Sequence, residues 1–211
     1  ITIALVVLLI IGVIIALLLG FKIANGIEKI VTSVKDQTNI LTKAAIEGRL
    51  AVRGNPDEIN FEFREIIIGI NDTLDAVIAP LNVSAEYIDR ISKGDIPSKI
   101  TDNYNGDFNE LKTNLNQCIE AINLLINDSK ILSQAAVDGH LSTRAEASKH
   151  QGSFKTIIEG VNATLDSVIL PLNVAAKYVD IISKGEVPSK ITDNYNGDFN
   201  AIKQNLNNCI D

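Results

Sequence analysis

Cys118 and Cys209 are the only cysteines in the 211 residues and His140 and His150 the only histidines, so thiol and imidazole chemistry is confined to four side chains. The cysteines lie 91 residues apart, which offers neither a disulfide framework nor a metal-ligand spacing. Each falls on an apolar helical stripe where a small side chain packs well, so both read as core fillers. Neither histidine has the acidic neighbour and downstream Pro-Leu of a phosphate-accepting histidine, so both read as solvated loop residues. The run DNYNGDFNE from Asp102 is loosely like a calcium loop, but its Gly is misplaced and the final bidentate Glu does not fit. It reads as a turn that starts a helix. Asn71-Asp72-Thr73 and Asn162-Ala163-Thr164 match glycosylation sequons, which a cytoplasmic location would make accidental. The sequence holds no Ser-His-acid triad, Gly-rich phosphate loop or metal motif, so neither enzyme activity nor a cofactor is expected. A net charge of −7 without a basic cluster or a Trp argues against a nucleic-acid partner.

With chemistry so sparse, the elements carry the information. Ile1 to Phe21 contains no charge. As a helix at about 1.5 Å per residue it covers roughly 31 Å, the thickness of a bilayer's hydrocarbon core. A single span (residues 1–21) in the cell membrane is expected, with lipid as its partner. A secretory signal peptide is the competing reading, but its apolar region is normally only about 7 to 15 residues and follows a basic stretch. Lys22, Lys29 and Lys35 place the chain after residue 22 in the cytoplasm. The sequence opens without Met, and an outer sensing domain and an earlier span are expected before it.

The remaining residues repeat at a period of 91: Gly48 matches Gly139, Pro80 matches Pro171 and Cys118 matches Cys209, with no insertion. A fixed period marks an array of similar units rather than one globular core. Phe63, Ile67, Ile70, Leu74, Val77, Leu81, Ser84, Ile88 and Ile91 alternate steps of four and three, a coiled-coil seam. Phe108, Leu111, Leu115, Cys118, Ile122, Leu125, Ser129 and Leu132 form a second. Phe154, Ile158, Val161, Leu165, Val168, Leu172, Ala175, Val179 and Ile182 form a third, and Phe199, Ile202 and Leu206 open a fourth. Such stripes leave water only against a stripe on another helix.

Gly94 to Gly106, with Pro97 inside, and its copy Gly185 to Gly197 cannot be helical throughout and read as connectors. Extended at about 3.3 Å per residue, such a segment reaches roughly 40 Å, against about 21 Å for the helix Pro80 to Lys93. The chain can therefore return to its starting level, which favours parallel consecutive helices; an antiparallel hairpin would need only about two to eight linking residues. Ile96 and Ile100, and their copies Val187 and Ile191, are expected to pin the connectors to the bundle. Asp107, with Glu110 three residues on, is expected to cap the next helix; the copy keeps Asp198 but has Ala201.

These marks resemble HAMP domains, the parallel four-helix relay modules of bacterial and archaeal receptors. In that family a Pro opens the first helix, a Gly closes it, a hydrophobic residue follows two positions on and an acidic pair starts the second helix. Pro80, Gly94, Ile96 and Asp107 fall in that register, as do Pro171, Gly185, Val187 and Asp198, while Phe108 and Phe199 replace the second acid. The resemblance implies an all-α fold: the membrane helix (1–21), a divergent unit (22–78), a HAMP unit (79–117), a second divergent unit (118–169) and a further HAMP unit (170–211). The divergent units carry Gly48 with Leu50 and Gly139 with Leu141 but lack the opening Pro. It further implies a homodimer in which packing along the seams relays a signal to a downstream output domain with its kinase or adaptor partners. The alternation of units resembles the arrays of chemotaxis receptors and of sensor histidine kinases. A passive membrane-anchored coiled coil is the remaining alternative, although a scaffold needs neither connectors nor parallel helices.

Overall fold

A computed structural model describes residues 2–211 as five α-helices, with no strand among them. Ile1, the first residue of the expected span, lies outside these. The chain forms two compact units, residues 1–89 and 90–211.

In the first unit α1 (Thr2–Ile46) runs unbroken past Phe21 for 25 further residues. Its length is about 68 Å at 1.5 Å per residue. The apolar window within Val7–Ile46 has a mean hydropathy of 2.9 and is wholly exposed. The second helix, α2 (Arg64–Ser92), is less apolar: the window within Phe61–Ser92 reaches 1.4. Its apolar side chains form a stripe between charges such as Glu65, Asp72 and Asp75, the pattern of a bundle helix. Ile27, Val31 and Val34 of α1 share a groove with Phe63 and Ile66, whereas Leu41 and Ala44, further along, meet Leu74 and Ile78. Advancing along one helix advances along the other, so the pair is parallel.

The second unit contains α3 (Gly106–Val137), α4 (Gly152–Ser183) and α5 (Gly197–Ile210). Ala121 and Leu124 of α3 meet Phe154 at the start of α4, and Gly139 and Leu141, just past the end of α3, face Ile169 and Leu170. These helices are parallel too. Pro171 lies inside an unbroken α4 and Pro80 inside an unbroken α2, where the Ser84 hydroxyl donates to the Pro80 carbonyl at 2.8 Å. Helix α4 therefore closes one expected HAMP unit and opens the next.

Four glycines end the first helix of the four expected units. Gly48, Gly94, Gly139 and Gly185 have φ of 73°, 78°, 76° and 79°, the left-handed region that a Cβ disfavours. Each terminus closes with the same pair of bonds. Gly94 N–H donates to the Ile91 carbonyl at 3.0 Å and Asp95 N–H to Arg90 at 3.0 Å; Gly139 donates to Ala136 at 3.2 Å and His140 to Ala135 at 2.8 Å. This double closure satisfies carbonyls that a helix end leaves unpaired. The divergent units thus stop their helices as the standard ones do.

The helix starts differ from expectation. Asn105 and Asn196 occupy the N-cap positions of α3 and α5 with no side-chain cap bond, and Asp107 and Asp198 lie inside the first turn. Gly106 and Gly197, at φ 52° and 53°, turn the chain into the helix one residue before each Asp, which removes the carboxylate from the capping position. At that site it still interacts favourably with the positive end of the helix dipole.

Replacing Gly94 or Gly185 by Ala should lower stability by about 1–2 kcal/mol because of the left-handed backbone. Gly160→Ala, within α4 where an added Cβ meets nothing within 4 Å, should raise it by about 0.5–1 kcal/mol. Thermal unfolding followed by circular dichroism in detergent measures both.

Candidate functional site

Each connector is held to the helix that follows it by one asparagine. Asn116 of α3 accepts from Ile100 N–H at 2.7 Å and donates from Nδ2 to the Ile100 carbonyl at 3.0 Å. Asn207 of α5 does the same to Ile191, at 2.8 and 3.1 Å. Asn71 clamps Gly54 with both bonds at 2.9 Å, and Asn162 clamps Ala145 at 3.1 and 2.8 Å. The amide satisfies one donor and one acceptor of a backbone that pairs with no strand, and an unmet buried group of either kind is costly. None of these asparagines stands out on apolar periodicity. Their signal was recurrence: Asn71, Asn116, Asn162 and Asn207 follow one another at 45, 46 and 45 residues, a step the 91-residue period hides. Asn71 and Asn162 also head Asn-X-Thr sequons, and both amides are occupied by these clamps.

The divergent connectors carry a second device. Arg53 Nε donates to Asp75 at 2.8 Å while its Nη1 donates to the carbonyls of Leu50 and Val52; Arg144 repeats this with Asp166 at 2.9 Å and the carbonyls of Leu141 and Thr143. In the standard units a lysine bonds the connector backbone instead, Lys112 to the Asp102 carbonyl and Lys203 to that of Asp193.

Of the residues expected to pin connectors, Ile100 and Ile191 are buried and Ile96 is half-buried. Val187 is not a pin: it stands 78% exposed, and the last connector is held by Ile191 and its Asn207 clamp. Leu115 is buried, and Phe108, Leu111, Phe199 and Leu206 are half-buried.

The expectation for His150 is overturned. Its side chain is 1% exposed, and Nε2 lies 2.7 Å from a carboxylate oxygen of Asp128, itself buried on α3. The sequence signal was again the repeat. Gln37 and Ile59, one period earlier, are both buried, so His150 sits at a core position despite its loop context. There Gln37 accepts from Asn55 N–H at 2.9 Å and donates to Glu58 at 2.6 Å. Lys149, beside His150, pairs with Glu146 at 2.8 Å; that bond holds the Glu146 carboxyl below the usual range and the Lys149 ammonium above it. His140 is exposed, as expected.

Both cysteines are free and exposed in the single chain, so any core they fill includes a second chain. They share this with part of the seam, although Ile67, Ser84, Leu115 and Ile158 on it are buried. Val77, Leu81, Val161, Val168, Leu172 and Ile202 are exposed, and Ile88 and Val179 are each 57% exposed. Burial within the chain is deepest at Ile67, Ile119 and Ile158. In α3 the buried Ile119 and Asp128 sit one position away from the exposed seam residues Cys118 and Ser129, while Leu115 on the seam is buried and Ile122 and Leu125 are half-buried. The arrangement holds apolar helices parallel, with one face free; it sets up no acid-base pair over a substrate. Among the described residues no group of three His, Cys, Asp or Glu is placed to hold a metal ion.

A family profile described as HAMP domain matches residues 59–124 and 149–211, together more than half of the chain. No solved structure matches the chain.

Asn116→Ala should cost about 1–3 kcal/mol by stranding the N–H and C=O of Ile100, and amide hydrogen exchange at Ile100 should quicken accordingly. His150→Ala should destabilise the connector ahead of α4 by a similar ~1–3 kcal/mol, because Asp128 loses its buried partner, whereas His140→Ala should leave exchange there unchanged.

Proposed function

The chain belongs to the HAMP domain family, whose members are non-catalytic linkers in signal-transducing receptors, and from that premise we propose that it relays a conformational signal out of a membrane helix through stacked bundles. In this reading the apolar start of α1 spans the cell membrane, and Lys22, Lys29 and Lys35 keep the rest in the cytoplasm. Two chains associate in parallel, each bundle takes two helices from either chain, and the units follow the boundaries 22–78, 79–117, 118–169 and 170–211. The carrying observation is the run of exposed seam residues on helices that pack in parallel, Leu81, Ile88, Leu172 and Val179 among them. An apolar stripe at 3.5-residue spacing is stable in water only against its like. Because α4 belongs to two successive units, a rotation or loosening of one bundle alters the geometry offered to the next. Two packings a few kcal/mol apart then suffice for a switch.

The alternation of standard and divergent units fits both chemotaxis receptors and sensor kinases; of these we favour a chemotaxis receptor, whose output domain would follow and engage a kinase and adaptor. A His-bearing dimerisation helix and an ATP-binding domain encoded downstream would make it a sensor kinase instead.

Ala85 lies beside the seam residue Ser84, where a larger side chain should force the bundle toward one packing. In the membrane-embedded protein, Ala85→Leu should change amide exchange not only locally but across α4 and α5, about threefold or more. A change confined to residues near 85 in a folded protein would rule out the relay.

A further inference from the structure

Phe61 stands 83% exposed in a short 3-10 turn, Phe61–Phe63, immediately before α2. One period later its place is taken by Gly152, whereas Phe63 is matched by Phe154. The exposed aromatic therefore belongs only to the repeat that follows the apolar run. Phe63 lines a groove with Ile27, Ile30, Val31 and Val34, which sets it level with about residue 30 of α1, roughly 13 Å beyond Phe21 at 1.5 Å per residue. Since α2 runs parallel to α1, the turn preceding Phe63 points back toward the apolar run. At about 2 Å per residue, Phe61 lies roughly 4 Å nearer to it. The polar zone of a bilayer adds about 5–7 Å outside the hydrocarbon on each side, within reach of a ring that starts some 9 Å away. Ile23 and Ile27, both exposed, continue the apolar surface across that gap.

We propose that Phe61 docks into the headgroup boundary of the bilayer, tying the first connector to the membrane surface. Aromatic side chains concentrate at that boundary. The connector would then sense the bilayer directly, in addition to what α1 transmits. This rests on the reading of residues 1–21 as a membrane span, and the test separates the two.

The chain has no Trp, so single substitutions give clean probes. Phe61→Trp, Phe154→Trp and Leu9→Trp would each be reconstituted in phosphatidylcholine vesicles with bromine on the lipid tails, either near the headgroup or deep. Trp at 61 should be quenched about twofold or more by the shallow bromines, Trp at 9 by the deep ones, and Trp at 154 by neither. Quenching at 9 without quenching at 61 overturns the docking of Phe61 and leaves the span intact. A blue-shifted but unquenched Trp at 61 also overturns it, assigning the residue to a second copy of the chain. No quenching at 9 removes the span and the proposal with it.

Discussion

An apolar seam that one chain cannot cover constrains everything else in this molecule. Each helix has two uses for its apolar residues. Part of each stripe is covered within the chain, most deeply at Ile67 and Ile158 on the seams and at Ile119 beside one. Further along the seams Leu81, Ile88, Leu172 and Val179 stay open. Leaving several Leu, Ile and Val side chains in water forgoes about 1.5–3 kcal/mol apiece, a large quantity beside the 5–15 kcal/mol by which domains are stable. The connectors make this seam possible, because only a long return segment lets successive helices point the same way and keeps their stripes in phase.

The clamps explain how a mostly extended, weakly apolar connector stays in place. A single asparagine amide meets both hydrogen-bonding groups of one backbone residue in all four connectors, and a left-handed Gly closes the helix before each. Neither device depends on side-chain polarity in the connector. Its sequence is therefore free to differ between standard and divergent units, as Arg53 and Arg144 in one kind and Lys112 and Lys203 in the other illustrate.

Much of this was legible in the sequence, for physical reasons that also mark where legibility ended. Apolar spacing fixes which helix face is sticky, and Gly marks where helices stop, so the seams, Gly94 and Gly185 could be read directly, whereas Pro80 and Pro171 stand inside unbroken helices. Burial of a polar residue depends on what returns to cover it, which no local pattern records. His150 in a polar loop looked solvated, yet the fold brings it onto Asp128; only its alignment with Ile59 hinted at a core position. The capping role given to Asp107 failed for a similar reason, since Gly106 turns the chain one residue early. Cys118 and Cys209 were read as core because they lie on the seam, and the core they belong to is one a single chain does not complete.

The measurement that bears most directly on that incomplete core is the distance between spin labels placed on Cys118, with Cys209 replaced by Ser, in the protein reconstituted into bilayers. Helices in a bundle lie about 8–10 Å apart, so parallel, in-register chains should give one short separation, about 20 Å or less once the label arms are included. Labels that show no coupling, or only a long separation from chains running opposite ways, would contradict the account.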